Sequence, residues 1–272
     1  MSKSYFISDV HLGAAFCDRR ALEQRFVALL DRIREEEADA VYLLGDIFDF
    51  WYEYRYVIPR GHTRALGALA RLCDSGVKVY FFRGNHDVWV YDYFEQELGM
   101  TVLEQPYVAE IDGKLFCLRH GDGLGRTDTM FRLIRWAFHN RALQVLFSAL
   151  HPRWAFGLGY AWAGHSRKMK NIPENAGRYV FRGEQEPLYH YAEAFGREYK
   201  ASHEGRSIDY YIFGHYHTPG TVKIPSGGQM YVLGCWVDGG EYAVLENGCL
   251  SIISAGSPDG SARQAPAGSS RI

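Results

Sequence analysis

The polar residues that follow the apolar runs of this sequence restrict its fold more than any other feature. Five apolar runs each lead into a short segment that combines glycine with aspartate, asparagine or histidine: SDVHLG, LLGDIFDFW, FFRGNHD, LFCLRHGDG and YYIFGHYHTPG. The first three runs alternate with helical patterns, which is typical of an α/β sheet with right-handed crossovers. Because ligand sites in such sheets lie at the carboxyl ends of the strands, the five segments are expected to converge.

Strands and helices are predicted from the spacing of apolar residues. Runs rich in Val, Ile, Tyr and Phe predict strands at 5–7, 40–44, 77–82, 115–118, 210–213, 230–233, 242–245 and 250–253. Apolar residues at intervals of three and four predict helices over 20–37 and 63–75. The later strands have few helices between them, so added sheet structure or a second sheet is expected.

Composition excludes several classes of protein. The five cysteines are scattered, odd in number and form no Cys-x-x-Cys, which argues against a disulfide framework and a thiolate metal site and favours a reducing, cytoplasmic compartment. The N-terminus has no long apolar segment typical of a secretory signal. The most apolar stretch, 142–164, is interrupted by His151, Pro152 and Arg153, so no transmembrane helix is predicted.

One region differs from the rest in charge. Between Arg126 and Arg182 there are ten Lys or Arg residues and two acidic residues, together with many aromatic residues. The region is interpreted as an inserted helical subdomain. Cations beside large apolar side chains suit an anionic, lipid-like substrate at an anionic membrane surface, whereas the alternative is a basic helical face packed by ordinary core aromatics.

The five polar segments together indicate a metal site. A single Asp-Gly or Asn-Gly pair at a strand end is more often a turn, but five such segments are better explained as clustered ligands. Oxygen and imidazole donors suit Mn, Fe or Zn rather than copper. Seven ligands suit two ions about 3.5–4 Å apart that share a bridging carboxylate and a bridging hydroxide, an arrangement used for in-line attack on phosphorus.

The ordered motifs Asp-x-His, Gly-Asp-x-x-Asp, Gly-Asn-His-Asp, His-Gly-Asp and Gly-His-x-His resemble the calcineurin-like metallophosphoesterase superfamily. The resemblance implies a fold of two packed mixed β-sheets flanked by helices. It implies one metal ion bound by Asp9, His11 and His217, and a second by Asn85, His120 and His215, with Asp46 bridging them. It further implies that His86 stabilises the transition state or protonates the leaving oxygen, and that Asp49 orients it. Asp87 and Asp122 are expected to brace the loops.

The insertion and the amino acids of the motifs resemble the branch of this superfamily that cleaves UDP-2,3-diacylglucosamine to UMP and 2,3-diacylglucosamine 1-phosphate in lipid A synthesis. That resemblance implies two divalent ions, taken here as Mn²⁺ with Fe or Zn as alternatives, and a nucleotide-linked lipid substrate at the cytoplasmic face of the inner membrane. His86 stands where better-known members have Arg, although a second group keeps His. The expected substrate contacts in the insertion are Arg126, Arg132, His165, Ser166, Arg167, Lys168 and Lys170.

The predicted domains are a metallophosphoesterase core at 1–122 and 206–253, a helical lid at 123–205, and a disordered tail at 254–272. Two alternative functions stay open. One is a metallophosphoesterase that acts on another phosphodiester, such as a nucleic acid, a cyclic nucleotide or a nucleotide. The other is a non-catalytic scaffold of the same fold, which the complete ligand set disfavours. Neither nucleic acid nor an obligate protein partner is expected.

Overall fold

A computed structural model of the chain describes residues 2–125, 129–170, 180–255 and 262–263. The helices are α1 (Arg19–Glu35), α2 (Thr63–Asp74), α3 (Tyr93–Gln96), α4 (Thr129–His139), α5 (Arg141–Ser148), α6 (Pro152–Lys170) and α7 (Pro187–Ser202). The strands are β1 (Lys3–Ile7), β2 (Ala40–Leu43), β3 (Lys78–Phe82), β4 (Thr101–Leu103), β5 (Tyr107–Ile111), β6 (Lys114–Leu118), β7 (Tyr210–Phe213), β8 (Gly220–Lys223), β9 (Gln229–Val232), β10 (Glu241–Glu246), β11 (Cys249–Ser254) and β12 (Ala262–Arg263).

The strands form two mixed sheets. The first has the order β12-β11-β10-β1-β2-β3-β4, in which β1 to β4 are parallel and β10, β11 and β12 are added antiparallel. The second has the order β5-β6-β7-β9-β8, in which β6, β7 and β9 are parallel and the two outer strands are antiparallel. The expectation of two mixed sheets flanked by helices is thus confirmed.

The two sheets pack face to face through an aromatic core. Phe6 of β1 stacks on Phe116 of β6 with ring centroids 5.1 Å apart. Both rings are fully buried, as are Phe82 and Ile212 in the same cluster. Because successive residues of a strand point to opposite faces, the neighbours of these residues face outward, where helices cover them. This packing therefore fixes the carboxyl ends of the strands in one sheet relative to those in the other.

Helices α1 and α2 cover the outer face of the first sheet. Asp18 caps α1 by accepting hydrogen bonds from the backbone N–H groups of Arg20 and Ala21, both at 3.0 Å. The apolar residues that the sequence spaced at three and four positions, including Leu22 and Phe26, are buried against this sheet. The predicted helices are present, each ending one or two residues earlier than expected.

Helix α7 covers the outer face of the second sheet. Its buried residues Leu188, Tyr189 and Ala192 pack with β6 and β7 in one apolar cluster. The predicted lid, 123–205, therefore extends too far, because its last helix belongs with the core. An amphipathic helix looks the same in sequence whether it covers a sheet or a neighbouring helix.

The insertion helices α4, α5 and α6 dock on the loops that follow β2 and β3. Their aromatic residues Phe138, Phe147, Phe156 and Tyr160 pack against a buried cluster of Phe50, Tyr52, Val88 and Trp89. Backbone carbonyls of the insertion also accept hydrogen bonds from these loops, as at Trp89 Nε1 to Phe138 O, 2.9 Å. Among the described helices, none combines the length and apolarity that a bilayer span requires.

The C-terminal region differs in part from expectation. Strand β11 continues to Ser254, which was assigned to the disordered tail, and β12 pairs with it at Ile252 and Ile253. The other tail residues, 256–261 and 264–272, lie outside the described residues, so disorder there stays a prediction. The apolar runs of the sequence do not predict β4, β5 and β8, which are short strands at the edges of the two sheets.

Docking of the insertion predicts opposite effects for two glycines of α6. A Cβ at Gly159 would lie 2.2 Å from the ring of Phe50, whereas one at Gly157 would meet nothing within 4 Å. We expect Gly159→Ala to destabilise the docked insertion by about 1–3 kcal/mol through overpacking. Gly157→Ala should stabilise α6 by about 0.5–1 kcal/mol, because alanine favours helix more than glycine does. Limited proteolysis measures both effects as the rate of cleavage within 129–170, which should rise in Gly159→Ala and fall in Gly157→Ala. Equal cleavage rates in the two variants would contradict the docking.

Candidate metal centre

The five polar segments converge at the carboxyl ends of β1, β2, β3, β6 and β7. Backbone hydrogen bonds join their loops, from Asp9 N–H to Gly45 O at 3.1 Å, from His11 N–H to Asp46 O at 3.0 Å, and from Gly214 N–H to His120 O at 2.9 Å. The side chains of these loops are therefore held by main-chain contacts between strands as well as by their own packing. The predicted convergence is what the structure shows.

Asp46 lies at the middle of the cluster and is 1% exposed. Its Oδ1 accepts a hydrogen bond from the backbone N–H of His86 at 2.8 Å. Its Oδ2 lies 3.3 Å from His120 Nε2 and 4.0 Å from His11 Nε2. One carboxylate thus faces both groups of predicted ligands, which is the position that a bridging ligand requires.

His120 and Asn85 lie on one side of Asp46. His120 Nδ1 is 2.8 Å from the carbonyl of Leu44, so Nδ1 donates its proton there and Nε2 faces the site. Nε2 is 3.4 Å from Asn85 Oδ1. Asp46, His120 and His215 offer three ligand atoms within 4.8 Å of one another. These residues could hold one ion.

Asp9, His11 and His217 lie on the other side. His11 Nε2 and His217 Nε2 are 3.1 Å apart, and Asp9 Oδ1 is 3.7 Å from the former and 3.2 Å from the latter. The second oxygen, Asp9 Oδ2, accepts hydrogen bonds from the hydroxyl of Ser8 at 2.7 Å and the backbone N–H of His215 at 2.9 Å. Oδ1 has no well-formed hydrogen bond within the described residues.

The electrostatics of the cluster fit cations. Burial alone would raise the pKa of Asp46, but the imidazoles of His120 and His86 hold it well below its ordinary value. Burial would likewise raise the pKa of Asp9, which His11 and His217 hold low. Burial alone would lower the pKa of His120, yet the carboxylate of Asp46 raises it to about 10. Ionised carboxylates so deeply buried demand positive charge, and divalent ions supply it with the donor set present.

The backbone at the predicted ligands is unusual. Asp9, His11, Asp46, His215 and His217 all have positive φ, between 52° and 69°. Residues other than glycine rarely adopt this left-handed conformation, which costs roughly 1–2 kcal/mol per residue. Such outliers concentrate at functional sites, where the surrounding structure holds them in place. Five outliers among seven predicted ligands support a functional role for this cluster.

Gly84 lets the loops approach each other closely. A Cβ at this position would lie 2.2 Å from Asp46 Oδ1 and 2.4 Å from the Asp46 backbone nitrogen. Only glycine leaves room for the Asp46 carboxylate beside β3. The glycine in FFRGNHD is therefore required by a close approach rather than by a turn.

His86 is 4% exposed and lies beside both the metal cluster and the insertion. Its Nδ1 is 2.8 Å from the backbone carbonyl of Asp49, whereas the Asp49 carboxylate is 4.0 Å away. That carboxylate lies closer to His11 Nδ1, at 3.5 Å. The hydrogen bond is to the Asp49 main chain, so the expectation that the Asp49 side chain orients His86 stays a prediction. The structure also groups His86 with His11 and Asp46 as ligand atoms within 4.8 Å.

Asp87 and Asp122 brace the loops, as expected. The Asp87 carboxylate accepts hydrogen bonds from the backbone N–H groups of Gly84, Asp46, Ile47 and Phe48, at 2.8–3.3 Å. Burial and the neighbouring Asp46 raise its pKa to about 7. Asp122 Oδ2 accepts a hydrogen bond from Arg135 Nε at 2.9 Å, which ties α4 to the loop after β6.

The predicted substrate contacts in the insertion are only partly described. Arg132 is exposed on α4. Arg126 lies outside the described residues, and His165, Ser166, Arg167, Lys168 and Lys170 are placed on α6 only through their backbone. The structure instead brings an unpredicted residue of α6 to the site, since the Trp162 ring lies 5.7 Å from that of His86. An aromatic residue in an apolar helix gave no signal of this position.

Cys235 also lies at the site, although no thiolate ligand was predicted. Its sulfur and the ligand atoms of His11 and His217 all lie within 4.8 Å of one another. The sequence did contain a signal, because LGCW follows the run at 230–233 as the other polar segments follow theirs. It was missed because a single cysteine after a strand is also typical of an ordinary buried residue.

The profile of the calcineurin-like phosphoesterase family matches residues 2–219, a stretch that contains all seven predicted ligands. The UDP-2,3-diacylglucosamine hydrolase of Porphyromonas gingivalis is 41% identical over 93% of this chain and 97% of that protein. A protein of the same name from Ralstonia nicotianae is 30% identical over 85% of this chain and 83% of that protein. A dimetal phosphatase from Danio rerio is 18% identical, with a TM-score of 0.44 over 92% of this chain and 95% of that one.

The geometry predicts that metal binding depends on Asp46 and His120. We expect purified protein to bind two divalent ions per chain, and Asp46→Ala or His120→Ala to lose at least one of them because a central ligand is removed. Metal analysis after dialysis measures this. Asp74→Ala, which removes an exposed carboxylate on α2, is the control and should keep both ions. Full metal content in Asp46→Ala would contradict the assignment.

Proposed function

The chain belongs to the calcineurin-like phosphoesterase family, and from this premise we propose that it hydrolyses the pyrophosphate of UDP-2,3-diacylglucosamine to UMP and 2,3-diacylglucosamine 1-phosphate. The protein is a metal-dependent hydrolase. The choice of substrate is carried by one observation, the similarity to the Porphyromonas gingivalis hydrolase over nearly the whole of both chains. The aromatic insertion docked beside the metal cluster supports it, because an acylated substrate needs an apolar surface next to the reacting phosphates.

Two groups of residues would hold the ions. Asp9, His11 and His217 would hold one, Asn85, His120 and His215 the other, and Asp46 would contact both. Ions held by these residues would supply Lewis-acid chemistry, which polarises a phosphoryl oxygen and makes water a better nucleophile toward phosphorus. Mn²⁺, with Fe or Zn as alternatives, is proposed for catalysis, since the carboxylate and amide oxygens suit Mn²⁺ and the imidazoles suit Fe and Zn. The chain's own contribution is to fix these donors on short loops and to exclude bulk water from the carboxylates.

His86 is proposed to act on the leaving phosphate oxygen. Its Nδ1 donates to the Asp49 carbonyl, and the opposite ring atom, Nε2, is the one proposed to meet substrate. Nε2 can donate a hydrogen bond or a proton to an oxygen that gains negative charge as the bond to phosphorus breaks. The Trp162 ring lies beside the imidazole, with ring centroids 5.7 Å apart. An Arg at this position in better-known relatives would supply charge without transferring a proton.

The insertion is proposed to bind the acyl chains and the membrane surface. Eight of the twelve exposed large apolar side chains among the described residues lie on α4 to α6 or the short links between them, among them Trp136 at 59% and Trp154 at 67% exposure. Arg132, Arg141 and Arg153 are exposed on the same helices. Apolar side chains interspersed with cations favour anionic lipid surfaces. We place the protein at the cytoplasmic face of the inner membrane, with no obligate protein partner.

The substrate assignment is tested with purified protein, Mn²⁺ and UDP-2,3-diacylglucosamine in mixed micelles. The expected products are UMP and the acyl-sugar phosphate, separated by chromatography, with no cleavage of single-stranded DNA. Turnover of a generic phosphodiester without release of UMP would refute the substrate and leave the family assignment intact.

His86→Ala tests the proposed proton donor within the same assay. We expect kcat to fall by about 10²-fold or more, the usual contribution of general acid catalysis, while both metal ions remain bound. His62→Ala is a control for loss of a buried imidazole, because His62 is 3% exposed but packs against Phe48. Loss of metal in His86→Ala would show that His86 is a ligand, as its distance from His11 and Asp46 permits.

Membrane binding is tested with vesicles of anionic phospholipid. Trp136→Ser combined with Trp154→Ser should weaken vesicle binding by about 10²-fold or more, because each buried indole contributes at least about 1.5 kcal/mol and about 1.4 kcal/mol is tenfold in affinity. Tyr56→Ser is the control, since Tyr56 is 85% exposed but lies outside the insertion. Equal binding by the double variant and the control would contradict the proposed surface.

A further inference from the structure

Cys235 reaches the metal cluster by the same route as the histidines that precede it. Strand β9 runs parallel to β7, and a hydrogen bond from Leu233 N–H to Phe213 O at 2.8 Å continues their pairing to the site. The chain then passes through Gly234 to Cys235 at the edge where β7 delivers His217. Its sulfur lies within 4.8 Å of ligand atoms of both His11 and His217.

The backbone around Cys235 is fixed on both sides. The N–H of Trp236 donates to the carbonyl of Asp9 at 3.0 Å, and the N–H of Gly240 donates to the carbonyl of Cys235 at 2.9 Å. Trp236 is 1% exposed, and its backbone carbonyl accepts a hydrogen bond from Arg25 Nη2 at 2.9 Å. The thiol is therefore held beside the ligands by the same contacts that hold the loop of Asp9.

Cys235 differs from a cysteine that only fills space. It is 3% exposed, and its sulfur lies beside the ligand atoms of His11 and His217, whereas Cys117 packs among apolar side chains beneath α7. A second observation points to a ligand here. Asp9 is 0% exposed, and its Oδ1, which lacks a well-formed hydrogen bond within the described residues, lies on the same side, 3.2 Å from His217 Nε2.

We propose that Cys235 supplies a sulfur ligand to the ion held by Asp9, His11 and His217, and that this half of the site prefers Zn²⁺, Fe²⁺ or Co²⁺ to Mn²⁺. The inference rests on the proposed function in that it concerns the same two-ion centre. Thiolate favours such borderline ions. The other group, Asn85, His120 and His215, contains no sulfur, so it should discriminate less strongly against Mn²⁺. As the ion binds, the thiol loses its proton to solvent and the Cys235 sulfur forms the bond to the metal.

The proposal is tested with Co²⁺, because a thiolate bound to Co²⁺ absorbs in the near ultraviolet by sulfur-to-metal charge transfer, which histidine and carboxylate ligands do not produce. We expect this band in the Co²⁺-loaded protein and its loss in Cys235→Ser. Cys117→Ser, which makes the same change at an equally buried position, should keep the band. Competition between Zn²⁺ and Mn²⁺ should show the preference for Zn²⁺ falling about tenfold or more in Cys235→Ser, the usual scale for changes around a metal.

A Co²⁺-loaded protein without the band, or one whose band persists in Cys235→Ser, would overturn the proposal, as would a failure to bind Co²⁺ at all. None of these readouts requires substrate. Absence of UMP release together with a Cys235-dependent band would therefore refute the proposed function and leave the sulfur ligand standing, and the reverse pair of results would refute the ligand alone.

Discussion

The buried carboxylate of Asp46 is the group on which the rest of this site depends. A carboxylate that is 1% exposed costs several kcal/mol in lost hydration unless nearby groups compensate. The compensation comes from the backbone N–H of His86 and the imidazole of His120, groups carried by two other strands. The relative position of the two sheets is thus coupled to the site, because β3 belongs to one sheet and β6 to the other. Divalent ions held beside this carboxylate would complete the balance of charge.

The same site stores backbone strain. Five predicted ligands adopt the left-handed conformation, at a cost of roughly 1–2 kcal/mol each, and the loops between strands hold them there by hydrogen bonds such as that from His11 to the Asp46 carbonyl. Gly84 has no side chain where a Cβ would meet Asp46. Ions that bind only the folded protein would stabilise it further, by an amount that grows with the logarithm of their concentration divided by their dissociation constant. The ligands are therefore preorganised by the fold rather than gathered by the metal.

Much of the site was predictable because strand ends converge whatever the side-chain details. The positions of Asp9, Asn85 and His120 follow from that rule alone. Cys235 obeys the same rule, but one cysteine after an apolar run is also typical of an ordinary buried residue. The hydrogen bond of His86 to a backbone carbonyl leaves no mark in a sequence. The extent of the insertion could not be predicted from the sequence either, because the amphipathic pattern of α7 does not indicate which surface the helix covers.

The insertion connects the chemistry to the choice of substrate. Its helices pack on the loops that follow β2 and β3, and the Trp162 ring lies beside that of His86. A substrate bound at the apolar surface of the insertion would therefore lie next to residues that pack directly against the metal cluster. The two-ion centre at Asp46 is tested by anomalous diffraction from crystals grown with Mn²⁺. We expect two peaks, one on each side of the Asp46 carboxylate, with the first beside His11 and His217 and the second beside Asn85 and His120. A single peak, or two peaks that do not share Asp46, would contradict it.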